Sequence, residues 1–206
     1  MNVNPAPGFS PHPQIEHGVM TRAILVLVVL VSLCCAAHAD QPDACAAMIP
    51  TTLAQTLLLH FPKYRLPHVT DNVPIEANAS RSQGDRRCLR VGVGNFGGNG
   101  NRDFVIGMTP RQSHVPLVVV ALADRNGWVF HVISEEWADD SRGLCLGKGR
   151  PGHYRRDDEI LEGPLAAGEK DSLVCDHDVV EVGRCEASGI AYCYTNGKWN
   201  YVHFSD

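Results

Sequence analysis

The chain has 206 residues, with 18 basic against 23 acidic side chains and a formal net charge of −5. That length supports one domain with a sizeable core and hardly two. Mild acidity without a basic cluster argues against nucleic acid or an anionic membrane surface as the main partner.

Residues 1–39 read as an N-terminal extension and secretory signal peptide, leaving a single domain over 40–206. Arg22 precedes an apolar run at 23–33, and Cys34-Cys35-Ala36-Ala37-His38-Ala39 follows, so charge, apolar block and Ala-x-Ala site stand in secretory order. Cleavage is expected after Ala39, with translation starting at Met1 or Met20. The run falls short of the roughly 20 apolar residues that span a bilayer, so no permanent membrane anchor is expected. Of the 8 cysteines, the two at Cys34 and Cys35 leave with the signal. The remainder (Cys45, Cys88, Cys145, Cys175, Cys185, Cys193) form an even set that suits a periplasmic or secreted protein with up to three disulfides. Cys185 and Cys193 flank the Ala187-Ser188-Gly189 turn and form the first expected pair. Cys145 with Cys175 and Cys45 with Cys88 follow by elimination.

After a short leader at 40–49, Pro50-Thr51-Thr52 opens a helix. Thr52 and Gln55 fit a capping box, Leu53, Ala54, Leu57, Leu58 and Phe61 recur at helical spacing, and Pro62 stops the run. Residues 67–87 are polar and without period, a loop that carries the Asn78-Ala79-Ser80 sequon. Strands are expected at 88–93, 104–108, 116–123 and 128–134, the last two joined through Asp124-Arg125-Asn126-Gly127. The segment 135–169 mixes acids with glycine and proline and reads as one long irregular connection. Strands then recur near 173–175, 179–185, 190–195 and 198–204, with Asn196-Gly197 turning the last hairpin. The fold class is therefore α+β, an N-terminal helix packed on a mainly antiparallel, disulfide-stapled sheet of about seven strands.

Asn95-Phe96-Gly97-Gly98-Asn99-Gly100-Asn101-Arg102-Asp103 follows the plan of a calcium loop. Side-chain oxygens fall at its first, fifth and ninth positions, Gly100 sits at the sharp turn, and Asn101 can offer a carbonyl. Asn95, Asn99, Asn101 and Asp103 are the candidate metal ligands. Only Asp103 is anionic, so the loop is weak or vestigial as a calcium site, and its structural reading is a turn built on asparagine and glycine. Gly92-x-Gly94-x-x-Gly97 matches the dinucleotide fingerprint, but that motif needs a helix after the glycines, and Phe104-Val105-Ile106 reads as strand. Cys175, His177, Cys185 and Cys193 can be drawn as a zinc set, yet their spacing fits no usual pair of ligand hooks, and oxidation to disulfides is the simpler state. Asp176-His177-Asp178 reads as a turn.

The loop from Gly94 to Gly107, followed by Leu117-Val118-Val119-Val120-Ala121-Leu122, a Gly-Trp hairpin, Ala191-Tyr192-Cys193-Tyr194, Gly197-Lys198-Trp199 and a terminal Ser205-Asp206, resembles small exported bacterial proteins with one FG-GAP/VCBS-like loop. In the wider family that loop binds calcium through acids, and Asn95, Gly97 and Asn99 stand where this chain departs from them. A related single-loop group includes periplasmic inhibitors and immunity proteins of cell-wall hydrolases. The resulting expectation is an exported, non-catalytic interaction module without a cofactor beyond that calcium loop, engaging a protein partner in the cell envelope. An inhibitor or immunity protein is the alternative. A hydrolase using Asp103, Asp139, Asp140, Asp157 or Asp158 is the reading from another class.

Overall fold

The computed structural model describes residues 43–72, 88–112, 115–134, 143–157, 164–184 and 189–204. The segment expected to be a signal peptide, the sequon, Cys185 and the acids at 135, 136, 139, 140, 158 and 159 lie outside them. The described residues carry helices α1 (Ala44–Met48) and α2 (Thr51–His60) and strands β1 (Tyr64–Arg65), β2 (Val91–Gly94), β3 (Asp103–Pro110), β4 (Leu117–Asp124), β5 (Gly127–Ser134), β6 (Leu144–Gly149), β7 (Gly152–Arg155), β8 (Ser172–Cys175), β9 (Val179–Arg184), β10 (Gly189–Thr195) and β11 (Lys198–Phe204).

All the ladders are antiparallel, but they do not form one seven-stranded sheet. The first sheet runs β1-β3-β4-β5, with β2 also paired to β3; the second runs β11-β10-β9-β6; β7 and β8 make a separate hairpin. The split follows from the side-chain alternation of each strand. On β3 and β4, Val105, Val118, Val120 and Leu122 meet Leu144, Leu146, Val180, Val182 and Tyr192 of the second sheet. Their neighbours Phe104, Ile106, Met108, Val119 and Ala121 face the opposite way, onto Leu53 and Leu57 of α2 and Cys45 of α1. The second sheet is covered in turn by the β7–β8 hairpin, where Leu173 and Cys175 pack on Val179, Ala191, Cys193 and Val202. The result is four layers: helix, sheet, sheet, hairpin.

Several local expectations change. Thr52 does not cap α2: Pro50 holds the cap position, two residues earlier, so the helix starts at Thr51, and no side chain bonds the free N–H groups there. The leader is itself helical, because Asp43 Oδ1 accepts the N–H groups of Cys45 and Ala46 at 2.9 and 3.3 Å. The segment 135–169 is not one irregular connection, since β6 and β7 lie within it. Strand β6 hides behind its glycines. Gly92 of β2 approaches it so closely that a Cβ there would sit 3.2 Å from the Gly147 carbonyl.

The expected disulfide between Cys185 and Cys193 is not formed. Gly189 pairs with Gly183 and Tyr192 with Val180, so the β9–β10 register carries Cys193 to the far end of the ladder from residue 185. Cys193 bonds Cys175 instead, with Cα atoms 6.0 Å apart, and the pairing of Cys145 with Cys175 falls with it. Cys145 is also disulfide-bonded. Cys45 is bonded to Cys88 across a Cα distance of 4.9 Å. Among the described residues no helix is long and apolar enough to cross a membrane.

Between the sheets, His131 of β5 packs on Tyr194 and Trp199, with ring centroids 5.2 and 6.0 Å away. Its Nε2 and the Trp199 Nε1 are buried without a hydrogen-bond partner among the described residues. Burial pushes the His131 imidazole below its ordinary 6.5. The unfolded chain therefore takes up this proton first, and the stability contributed by the neutral ring is present above 6.5 and lost as pH falls through the folded value. His131→Phe should raise stability by about 1 kcal/mol and flatten the pH dependence just below neutrality; denaturant melts at pH 7.5, 6.5 and 5.5 would check it.

Candidate functional site

Strands β2 and β3 close on each other with Gly94 opposite Asp103, leaving residues 95–102 as the connecting loop. Phe96 anchors it by entering the inter-sheet core, fully buried. Asp103, also fully buried, holds both ends of the site. Its Oδ2 accepts the Gly97 N–H and its Oδ1 the Ala123 N–H, each at 2.8 Å. Asn95 Oδ1 accepts the Gly100 N–H at 2.9 Å, and Asn99 Oδ1 accepts the Asn101 N–H at 2.9 Å. The Asn101 side-chain amide donates to the Ala123 carbonyl at 2.9 Å.

The structure thus brings Asn95, Asn99, Asn101 and Asp103 together as the loop plan requires, but it aims their side chains at the chain itself. A cation at this position would have to displace four hydrogen bonds to side-chain oxygens, with one carboxylate to attract it. Backbone N–H groups supply here the positive ends that a metal would otherwise supply.

A second turn adjoins the loop. Asp178 Oδ2, in the turn between β8 and β9, accepts the Asn95 N–H at 2.8 Å and lies 3.8 Å from Lys148 Nζ. His177 presses its ring on Gly98, where a Cβ would come within 3.0 Å of Nδ1; the residue also has φ +69°, so glycine is required twice over. His177 donates from Nδ1 to Asp176 Oδ1 at 2.6 Å. That bond draws the exposed Asp176 carboxyl below its ordinary range. Together with the β4–β5 turn at 124–127, these segments make one end of the sandwich, with residues 98–102 exposed at its tip.

Among the described residues the other candidates do not join this end in a catalytic arrangement. Asp103 is sealed from any substrate, and Asp139, Asp140 and Asp158 lie outside the described residues. Asp157 stands beside β11, its N–H on the His203 carbonyl at 3.2 Å. Gly92, Gly94 and Gly97 precede strand β3, not a helix, which removes the helix N-terminus that a pyrophosphate needs.

A buried acid that the sequence does not single out sits in the same region as Asp157. Glu169 accepts the Ala166 N–H at 2.8 Å and His203 Nδ1 at 3.0 Å, with Arg156 Nε 3.5 Å away. The Ala166 N–H first, then the His203 and Arg156 side chains, outweigh burial and hold its carboxyl below the usual carboxylate range. It latches the segment after residue 163 onto β11. Nothing in local sequence marks it, because its side-chain partners lie 13 residues before it and 34 after it. No protein-family model, curated protein or solved structure matches this chain.

Asp103→Ala should cost about 2–4 kcal/mol, because two half-buried N–H groups lose a buried carboxylate acceptor, and millimolar calcium should not shift the melting temperature of either protein. A calcium-dependent rise that chelator reverses would overturn the metal-free account. For Glu169, the depressed carboxyl contributes stability above the unfolded value near 4.5 that is lost as pH falls through the folded one. Glu169→Gln should therefore be less stable at pH 7 and should lack that acid slope; melts between pH 7 and 3 would show it.

Proposed function

We propose that the chain is an exported, non-catalytic binding module whose contact surface is the sandwich end carrying the 95–102 loop. One observation carries this reading. The loop is closed by its own side chains while its tip remains exposed, so a recognition surface is held ready without metal. A loop already ordered loses little conformational entropy on meeting a partner, which is how rigid loops gain affinity. Its tip offers Asn99, Asn101 and Arg102, and the adjoining turn adds Asp124, Arg125 and Asn126, a polar set suited to a protein surface. The disulfides support an oxidising compartment for that partner. Inhibition of a cell-wall hydrolase is the most specific form of this reading.

The test uses the oxidised protein as bait in a cell-envelope extract. A partner should be retained stoichiometrically in the presence of chelator, and Asn99→Ala combined with Arg102→Ala should reduce its recovery at least tenfold. Equal recovery by the double variant would remove the loop from the interface. Recovery lost in chelator would restore a role for calcium, and a bait that retains nothing would reject the binding module itself.

A further inference from the structure

Cys175, His177 and Cys193 place one imidazole nitrogen and two sulfurs within 4.8 Å of one another, all three residues buried. His177 Nε2 lies 3.7 Å from Cys175 Sγ and 4.0 Å from Cys193 Sγ. In a tetrahedral zinc site, bonds of about 2.3 Å to sulfur and about 2.0 Å to nitrogen set the nitrogen-to-sulfur edge at roughly 3.5 Å. Both such edges are therefore nearly in place in the oxidised protein. A second observation fixes the ring. Asp176 takes the hydrogen bond from Nδ1 at 2.6 Å, which puts the proton on that nitrogen and leaves the Nε2 lone pair facing the sulfurs. A carboxylate behind a histidine is the outer arrangement that orients and strengthens imidazole as a metal ligand.

We infer that reduction of the Cys175–Cys193 disulfide converts this corner into a zinc site, with Cys175 Sγ, Cys193 Sγ and His177 Nε2 as ligands and water in the fourth position. The reductant is a dithiol. It supplies two electrons and two protons, the Sγ–Sγ bond breaks, two thiols form, and the donor leaves as its own disulfide. Zinc then displaces both thiol protons to solvent and takes the Nε2 lone pair. In the oxidised state the sulfurs are held in the disulfide and no thiolate is available, so metal binding reports the redox state of this bond. The three ligands come from two separate stretches of sequence, Cys175 and His177 flanking the start of the β8–β9 connection and Cys193 arriving on β10, which is why spacing alone does not disclose them.

The experiment keeps the full chain, reduced with dithiothreitol under nitrogen, and follows cysteine alkylation by mass spectrometry with and without one equivalent of zinc. Cobalt(II) serves in parallel as a spectroscopic probe. The expected result is selective protection of Cys175 and Cys193, a thiolate-to-cobalt charge-transfer band that zinc abolishes, and no binding by the oxidised chain. His177→Ala should weaken affinity at least tenfold, Asp176→Asn by about tenfold, and Cys193→Ser should remove the band. Because protection is read residue by residue, it remains informative if reduction loosens the fold. Equal protection of every cysteine, no protection at micromolar zinc, or protection unchanged by His177→Ala would each overturn the proposal.

Discussion

Two sulfur–sulfur bonds hold the outer layers of this protein to its centre, and the four-layer arrangement depends on them. The inner sandwich buries large aliphatic faces from both sheets and is held by its own hydrophobic contact. The outer layers are small elements: a ten-residue helix on one side, and on the other a two-stranded hairpin of a kind that is marginal by itself. Each is fastened covalently. Cys45 ties the helical leader to Cys88 at the entrance of β2, and Cys175 ties the hairpin to Cys193 on β10. On the chain-entropy account, loops closed over 43 and 18 residues contribute about 4 and about 3 kcal/mol. The same bonds join regions far apart in sequence, so they also decide which side chains meet.

The Asn/Gly loop is closed by hydrogen bonds between its own side-chain oxygens and backbone N–H groups. A metal gathers oxygens by Coulomb attraction, and without it those oxygens need other positive ends. Here backbone N–H groups of Gly97, Gly100, Asn101 and Ala123 take that place. Asparagine suits this role better than aspartate would, because a neutral amide accepts the same hydrogen bond without adding like charge beside Asp103 and Asp178. Asp103 alone keeps its carboxylate, and it is the one that accepts two half-buried N–H groups at once.

Legibility followed the range of the forces. Helix α2 could be read from Leu53 and Leu57 because its periodicity is local, and the last hairpin from Asn196-Gly197 because both residues occupy positive φ, at 51° and 75°. Strand β6 could not, since Gly147 and Gly149 are poor strand formers there to admit a neighbouring strand and side chains, a requirement set by tertiary contact. The nearest-neighbour pairing of Cys185 with Cys193 failed for the same reason: a short turn suggested one register, and the ladder adopted another. The loop end of the site was visible as composition. Its junction with His177 was not, because that contact arises only when the β8–β9 turn is brought against Gly98 by tertiary packing.

What places the loop correctly lies at the opposite end of β3. Arg90, almost fully buried, reaches Asn72 Oδ1 at 3.2 Å and the Asp71 carbonyl at 2.9 Å, while Thr109 of β3 donates to Asp71 Oδ2 at 2.7 Å. Burial opposes ionisation of Asp71, but hydrogen bonds from Arg65, the His68 N–H and Thr109 prevail and keep it below its ordinary range. A buried guanidinium left without its partners is strongly unfavourable, so this network tolerates no slip of β3. A shift of one residue would carry Asp103 to the side of β3 that packs on Leu53 and Leu57 and put Phe104 where Asp103 accepts the Gly97 and Ala123 N–H groups, exchanging the two faces of the strand. Register fixed by these hydrogen bonds at one end of β3 thus sets the hydrogen bonds of the 95–102 loop at the other.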